Sequence, residues 1–241
     1  TTVMKIRGLP PIDLARVAPS TTETKWSMLR SHKSGWGPFS YAPVRARESD
    51  LLNSQGTLLA TPADAPWGVL ERLIWRDCKG DQLAFSSNSE VGQLTYDFIR
   101  AHALAALHQP FSSFDLGFGG LTVSYWARSI LIIEGRPHIV FFDHRRTRGL
   151  GILGRKFVFS LMNEHIRVQY PDLNEAGLAI FQFPETAKKR DIFLNIGNEN
   201  DLYTYDQLQA MIAETYKIWG EILFDRSEED KRSGGPGSLG L

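Results

Sequence analysis

The residues best suited to chemistry lie in one run, Asp143-His144-Arg145-Arg146-Thr147-Arg148, followed shortly by Arg155-Lys156. From His144 to Asn163 there is no Asp or Glu, so Arg145, Arg146, Arg148, Arg155 and Lys156 form an acid-free cationic stretch. Such a cluster suits anions: the guanidinium fork matches phosphate geometry, and each phosphodiester it neutralises releases counterions. Gly149-Leu150-Gly151-Ile152-Leu153-Gly154 spells G-x-G-x-x-G ahead of a helix, where backbone amides and a helix N-terminus favour an anion. Basic residues separate that motif from the preceding strand, which is not the layout of a dinucleotide fingerprint. The five cations are therefore expected to contact nucleic acid or another polyanion. Tyr125, Trp126, Phe157 and Phe159 are nearby aromatics that could stack on bases, although such residues more often belong to a core.

A second chemistry needs carboxylates. Asp143 and Arg145 are two apart and would share one face of a strand, and Glu90 is a further candidate acid. Other chemistries lack their residues. The six histidines include no H-x-x-x-H pair, and the single cysteine, Cys78, can build neither a zinc cage nor an internal disulfide. His138 and His144 stand six residues apart on one strand, roughly 20 Å, too far to share a metal. No G-x-S-x-G elbow is present. No resident cofactor is expected.

These residues must be positioned by an apolar hairpin. Residues 121–133 and 136–143 read as strands joined by a II′ turn with Gly135 first. That register pairs Ile133 with His138, Leu131 with Val140 and Arg128 with Asp143, giving Asp143 a structural partner as well as a catalytic reading. Ile139–Phe142 is apolar on both faces, so the second strand should be covered on each side. Pro66–Asp77 reads as a helix with Val69, Leu73 and Ile74 inside. Ser87 and Glu90 read as a capping box opening a helix that ends near Gln109-Pro110. A helix over 154–168, strands over 177–183 and 190–196, and a last helix capped by Thr204 and Gln207 follow.

The helix, three strands, helix, strand, strand, helix order over residues 87–225 resembles the core of the restriction-endonuclease-like (PD-(D/E)XK) superfamily. The resemblance implies a metal-dependent nuclease in which two strand-end carboxylates hold Mg²⁺ and a lysine stands two after the second acid. Here Asp143 matches the acid, Arg145 replaces the lysine, and Glu90 corresponds to an accessory glutamate. No acid lies near Trp126–Arg128, where the partner carboxylate belongs. The match implies a degenerate, non-cleaving version.

The expected fold is therefore α/β: a central mixed sheet with a tight hairpin flanked by helices, restriction-endonuclease-like, plus an extended proline-rich N-terminal arm. Residues 1–50 hold five of the twelve prolines and read as that arm, mildly basic and anchored by Trp26, Trp36, Phe39 and Tyr41, or as a segment wrapped on the main domain. Residues 51–226 form the domain and 227–241 a flexible tail. Charge balances at 27 against 27, so any electrostatic function is local. No apolar run reaches about 18 residues, the N-terminus lacks a signal-peptide core, and one cysteine suits a reducing compartment; a cytoplasmic location with no membrane contact is expected. The expected function is nucleic-acid or polyanion binding as a non-catalytic subunit of an assembly. The alternatives are a nuclease using Asp143 with Mg²⁺, and an adaptor engaging protein partners through the arm.

Overall fold

The computed structural model describes residues 8–32, 40–55, 64–109, 111, 114–115, 122–123 and 129–233. Its elements are α1 (Pro11–Val17), α2 (Thr22–Ser31), α3 (Ala42–Arg45), α4 (Glu48–Leu51), β1 (Ser54–Gln55), α5 (Trp67–Asp77), α6 (Gln82–Ala101), β2 (Ala105–His108), β3 (Phe114–Asp115), β4 (Thr122–Val123), β5 (Ser129–Ile133) and β6 (Arg136–Asp143). There follow α7 (Ile152–Met162), a π-helical turn at Asn163–Arg167, a 3-10 turn at Pro171–Leu173, β7 (Gly177–Gln182), β8 (Glu185–Thr186), β9 (Lys189–Arg190), β10 (Phe193–Ile196) and α8 (Tyr205–Ser233).

Six strands form one mixed sheet in the order β1-β2-β5-β6-β7-β10. β6 and β7 run parallel, joined by a crossover through α7, while β5–β6 and β7–β10 are antiparallel. Period-two alternation splits these strands between two cores. Ile139, Phe141, Leu178 and Ile180 face a cluster shared with α1, α2, α7 and α8. Val140, Phe142, Ala179 and Phe181 face one shared with α3, α4, α5 and α6. Both faces are covered, as the unbroken apolar run of β6 requires.

The hairpin differs from the sequence expectation. Glu134 (φ +52°) and Gly135 (φ +78°) both occupy the left-handed region, which defines a I′ turn, so Ile133 pairs with Arg136 and Leu131 with His138. The shift of two residues removes the argument that set Arg128 against Asp143, and Arg128 itself lies outside the described residues, as do Tyr125 and Trp126.

Residues 1–50 are not extended where described. Leu14 and Val17 of α1 and Leu29 of α2 enter the first core, and Val44 and Leu51 of α3 and α4 enter the second. Fastenings hold the segment: Lys25 pairs with Glu214 of α8, and Arg226 donates to the carbonyls of Arg30 (2.9 Å) and His32 (3.0 Å) beyond the end of α2. Buried Asn88 accepts from Val44 N–H (3.1 Å) and donates to the Ser40 carbonyl (3.0 Å). Trp36 and Phe39 lie outside the described residues.

Other boundaries also move. α6 begins at Gln82 under an Asp81 cap whose carboxylate accepts from Ala84 N–H (2.9 Å), leaving Ser87 and Glu90 inside the helix. It ends at Ala101, and Ala105–His108 becomes an inner strand of the sheet. α5 buries Leu70 and Ile74 and exposes Val69. The Thr204–Gln207 box forms reciprocally, Gln207 Oε1 accepting from Thr204 N–H (2.9 Å) and Thr204 Oγ1 from Gln207 N–H (3.3 Å). α8 continues to Ser233, through part of the expected tail. No helix among the described residues is long and apolar enough to cross a membrane.

Candidate functional site: the loop between β6 and α7

β6 delivers Asp143 to the end of the sheet beside Gln182, its register partner at the end of parallel β7. Asp143 is fully buried. Its Oδ2 accepts from Leu150 N–H (2.7 Å) and from Gln182 Nε2 (3.0 Å), and its Oδ1 from Arg145 N–H (3.3 Å). Gln182 donates again to the Leu150 carbonyl (2.9 Å), which also accepts from Arg155 (3.3 Å). The carboxylate thus closes the loop 144–150 from beneath. Gly149 is required by that closure, since a Cβ there would lie 2.8 Å from Asp143 Oδ2, and Gly154 lets α7 approach the Ala15 carbonyl, 3.2 Å from a built Cβ. Two glycines of the G-x-G-x-x-G run are thus explained by packing, with no phosphate involved.

The five cations divide. Arg145 makes a two-pronged contact with Asp13 of α1, 2.7 and 2.8 Å. That pairing, against the opposing effect of burial, holds the Asp13 carboxyl below its usual range and raises Arg145. Arg146 donates to Glu185 at 2.7 Å and lies 4.0 Å from Glu90. Arg155 serves Leu150 and the Gln182 side-chain oxygen (3.2 Å). Lys156 meets Asp201 at 2.5 Å and sits over the Tyr203 ring. Arg148 and Arg155 have no ion pair among the described residues, and where Arg155 bonds inward Arg148 is exposed, with φ +55°, a conformation uncommon for a side chain of its size. The single anion-holding cluster anticipated from sequence is therefore four internal fastenings and one outward guanidinium.

Under the loop, His144 is buried and stacked near-parallel on Phe142, Phe183 and Tyr41. Burial, reinforced by Arg45 and Arg190, pushes its imidazole down to about 3, so it is neutral and structural. Arg190, also buried, donates to the Tyr41 hydroxyl (2.7 Å) and the Ser87 carbonyl (3.2 Å) and lies 3.6 Å from Glu90.

The metal-nuclease arrangement does not fit these residues. Both Asp143 oxygens are engaged by donors and have no opening to solvent, and Glu90 is held between Arg146 and Arg190. Among the described residues no three His, Cys, Asp or Glu side chains group as metal ligands. Phe157 and Phe159 are core residues. Burial, with Asp81 and Asp77, raises the Cys78 thiol, the reverse of activation. Sequence reading missed Gln182 and Asp13. The signal for Gln182 was present: one amide interrupts the apolar strand GLAIFQF, and a buried polar group needs a partner.

The site belongs to a mixed α/β protein whose loop cations are mostly held by internal partners and whose strand-end acid is structural. The chain belongs to the SocB family, described as sliding clamp-binding bacterial toxins, whose sequence model matches residues 12–229. It is 37% identical over 236 residues to the DNA replication inhibitor toxin SocB of Caulobacter vibrioides (strain NA1000 / CB15N), covering 98% of each chain. No solved structure matches it. These findings correct the expected function: the family is one of sliding clamp-binding toxins, and nucleic-acid or polyanion binding as a non-catalytic assembly subunit and the nuclease alternative give way to it, while the expectation of a protein partner agrees with the family at that coarser level.

Proposed function

We propose that this protein binds the bacterial sliding clamp and inhibits DNA replication. The observation that carries the proposal is the end-to-end match to a replication-inhibiting toxin, 37% identity over 98% of both chains, with no large insertion or missing part for a change of role to reside in. The framework is compatible with a partner-docking protein: both faces of the sheet are covered, and the described N-terminal helices face the core with their apolar sides. The order α6, β2, β5, β6, α7, β7 supports a restriction-endonuclease-like framework serving as a scaffold. Such a protein acts where the chromosome is copied, in the bacterial cytoplasm.

The test is direct. The purified full chain is titrated against the cognate sliding clamp by surface plasmon resonance, and induced in cells while labelled thymidine incorporation is followed. Saturable binding and a prompt fall in DNA synthesis are expected. A chain that neither binds the clamp nor slows incorporation overturns the reading.

A further inference from the structure

We infer that the outer edge of β10 pairs with the same edge of a second copy of this chain, joining the two sheets antiparallel across a two-fold axis; this goes beyond the reading above and does not depend on it. β10 ends the six-stranded sheet, and no strand among the described residues lies on its outer side. Gly197 N–H donates to the Leu178 carbonyl (2.8 Å), which makes those opposed residues a hydrogen-bonded pair. Alternation along an antiparallel ladder then turns the backbone groups of Phe193 and Asn195 toward β7 and those of Leu194 and Ile196 outward.

Outward N–H and C=O groups on a sheet edge are a template for another strand, and proteins that stay single guard them with charge, proline or a bulge. The run Ile192-Phe193-Leu194-Asn195-Ile196-Gly197-Asn198 holds no charged residue and no proline. Phe193 is 44% and Ile196 52% exposed at that edge. Asp191 guards one group, its carboxylate accepting from Ile192 N–H (2.8 Å).

The edge is complementary to itself. Ile192 and Leu194 pack partly on the second core, and period two places Ile196 on the same face. An axis at Leu194 sets Leu194 against Leu194 of the second copy and Ile192 against its Ile196, so one apolar row runs across the junction. The flanking charges agree with that direction. Exposed Lys188 and Lys189 precede the strand and exposed Glu199 and Asp201 follow it, so antiparallel pairing brings the basic end of each copy to the acidic end of the other. A foreign extended peptide would need that same row and that same charge order, which this chain already carries. The strand has four residues, so the contact is small and the dimer weak and concentration-dependent.

The full chain is followed by sedimentation equilibrium at concentrations up to about 100 µM. The wild type should pass from the mass of one chain toward that of two as concentration rises. Ile196→Lys, which places a charge on the edge, should raise the dimer dissociation constant about tenfold or more. Phe224→Ser, altering a side chain 57% exposed on α8, should match wild type. Both variants should keep the wild-type melting midpoint in dilute solution, because the altered side chains face solvent. In Leu194→Cys, the short cross-linker bismaleimidoethane should join two copies through the axis, while the wild type, whose single cysteine Cys78 is buried, stays unlinked. A wild type that remains a monomer throughout overturns the proposal. So does a dimer that is equally tight in Ile196→Lys, or one that the cross-linker fails to trap in Leu194→Cys.

Discussion

Asp143 shows how one buried side chain can be mistaken for a reagent. An acid at the end of an apolar strand, followed by cations, has the local chemistry of a metal or phosphate site. Its three donors instead make it the keystone of a loop. Asp143→Ala should leave Leu150 N–H without its acceptor and remove one of the Gln182 amide's two bonds as donor, and cost about 1–3 kcal/mol in urea denaturation. Asp143→Asn should cost less, since it retains an acceptor for one of them. His144 supplies the pH dependence. Its folded value near 3 lies below the 6.5 of an unperturbed imidazole, so the unfolded chain binds a proton that the folded chain refuses. The resulting stability is complete above about pH 6.5 and falls as pH drops toward 3, at up to about 1.4 kcal/mol per pH unit. His144→Phe, which preserves a ring in the stack, should flatten the stability profile between about pH 6.5 and 4.5; an unchanged slope there would assign the acid sensitivity elsewhere.

Helices and strands follow their periodicities with a few instructive exceptions. The covered strand β6, the parallel strand β7 and the capping box of α8 were legible because their patterns are local and strong. The turn was misread by one residue, since the left-handed region takes Glu134 as well as Gly135, and a two-residue shift in register followed. I′ turns favour Asn at the first central position, so Glu134→Asn should raise stability by about 0.5–1 kcal/mol in thermal melts. The end of α6 was hidden for a different reason: Ala105–His108 has no strong pattern and is recruited into the sheet by pairing with β5. Close approach between β6 and β7 is equally specific. A Cβ at Gly177 would fall 2.2 Å from the His138 ring. Gly177→Ala should therefore cost about 1–3 kcal/mol, and much of that loss should be recovered in the double variant with His138→Ala, as a denaturation double-mutant cycle would read.

For the molecule as a whole, the N-terminal segment changes status most. Proline-rich composition left two readings, an extended arm or a segment wrapped on the domain, and where it is described the segment wraps: Leu14, Val17 and Leu29 are nearly fully buried against α7 and α8. Deleting residues 1–32 should expose that face, abolish cooperative melting followed by far-UV circular dichroism, and give aggregation; a truncated chain with a wild-type transition would restore the arm. The balanced net charge has the same lesson. No long-range field draws this protein to nucleic acid. Hydrophobic spacing, which acts over a few residues, was enough to announce a covered mixed α/β sheet and its flanking helices. What became of the five cations could not be read in the same way. Arg145 meets an acid 132 positions away and Arg146 one 39 away. Whether a charge is spent inside the molecule or offered to a partner depends on which distant carboxylates the folded chain brings within reach, and Coulomb attraction depends on distance in space rather than along the chain.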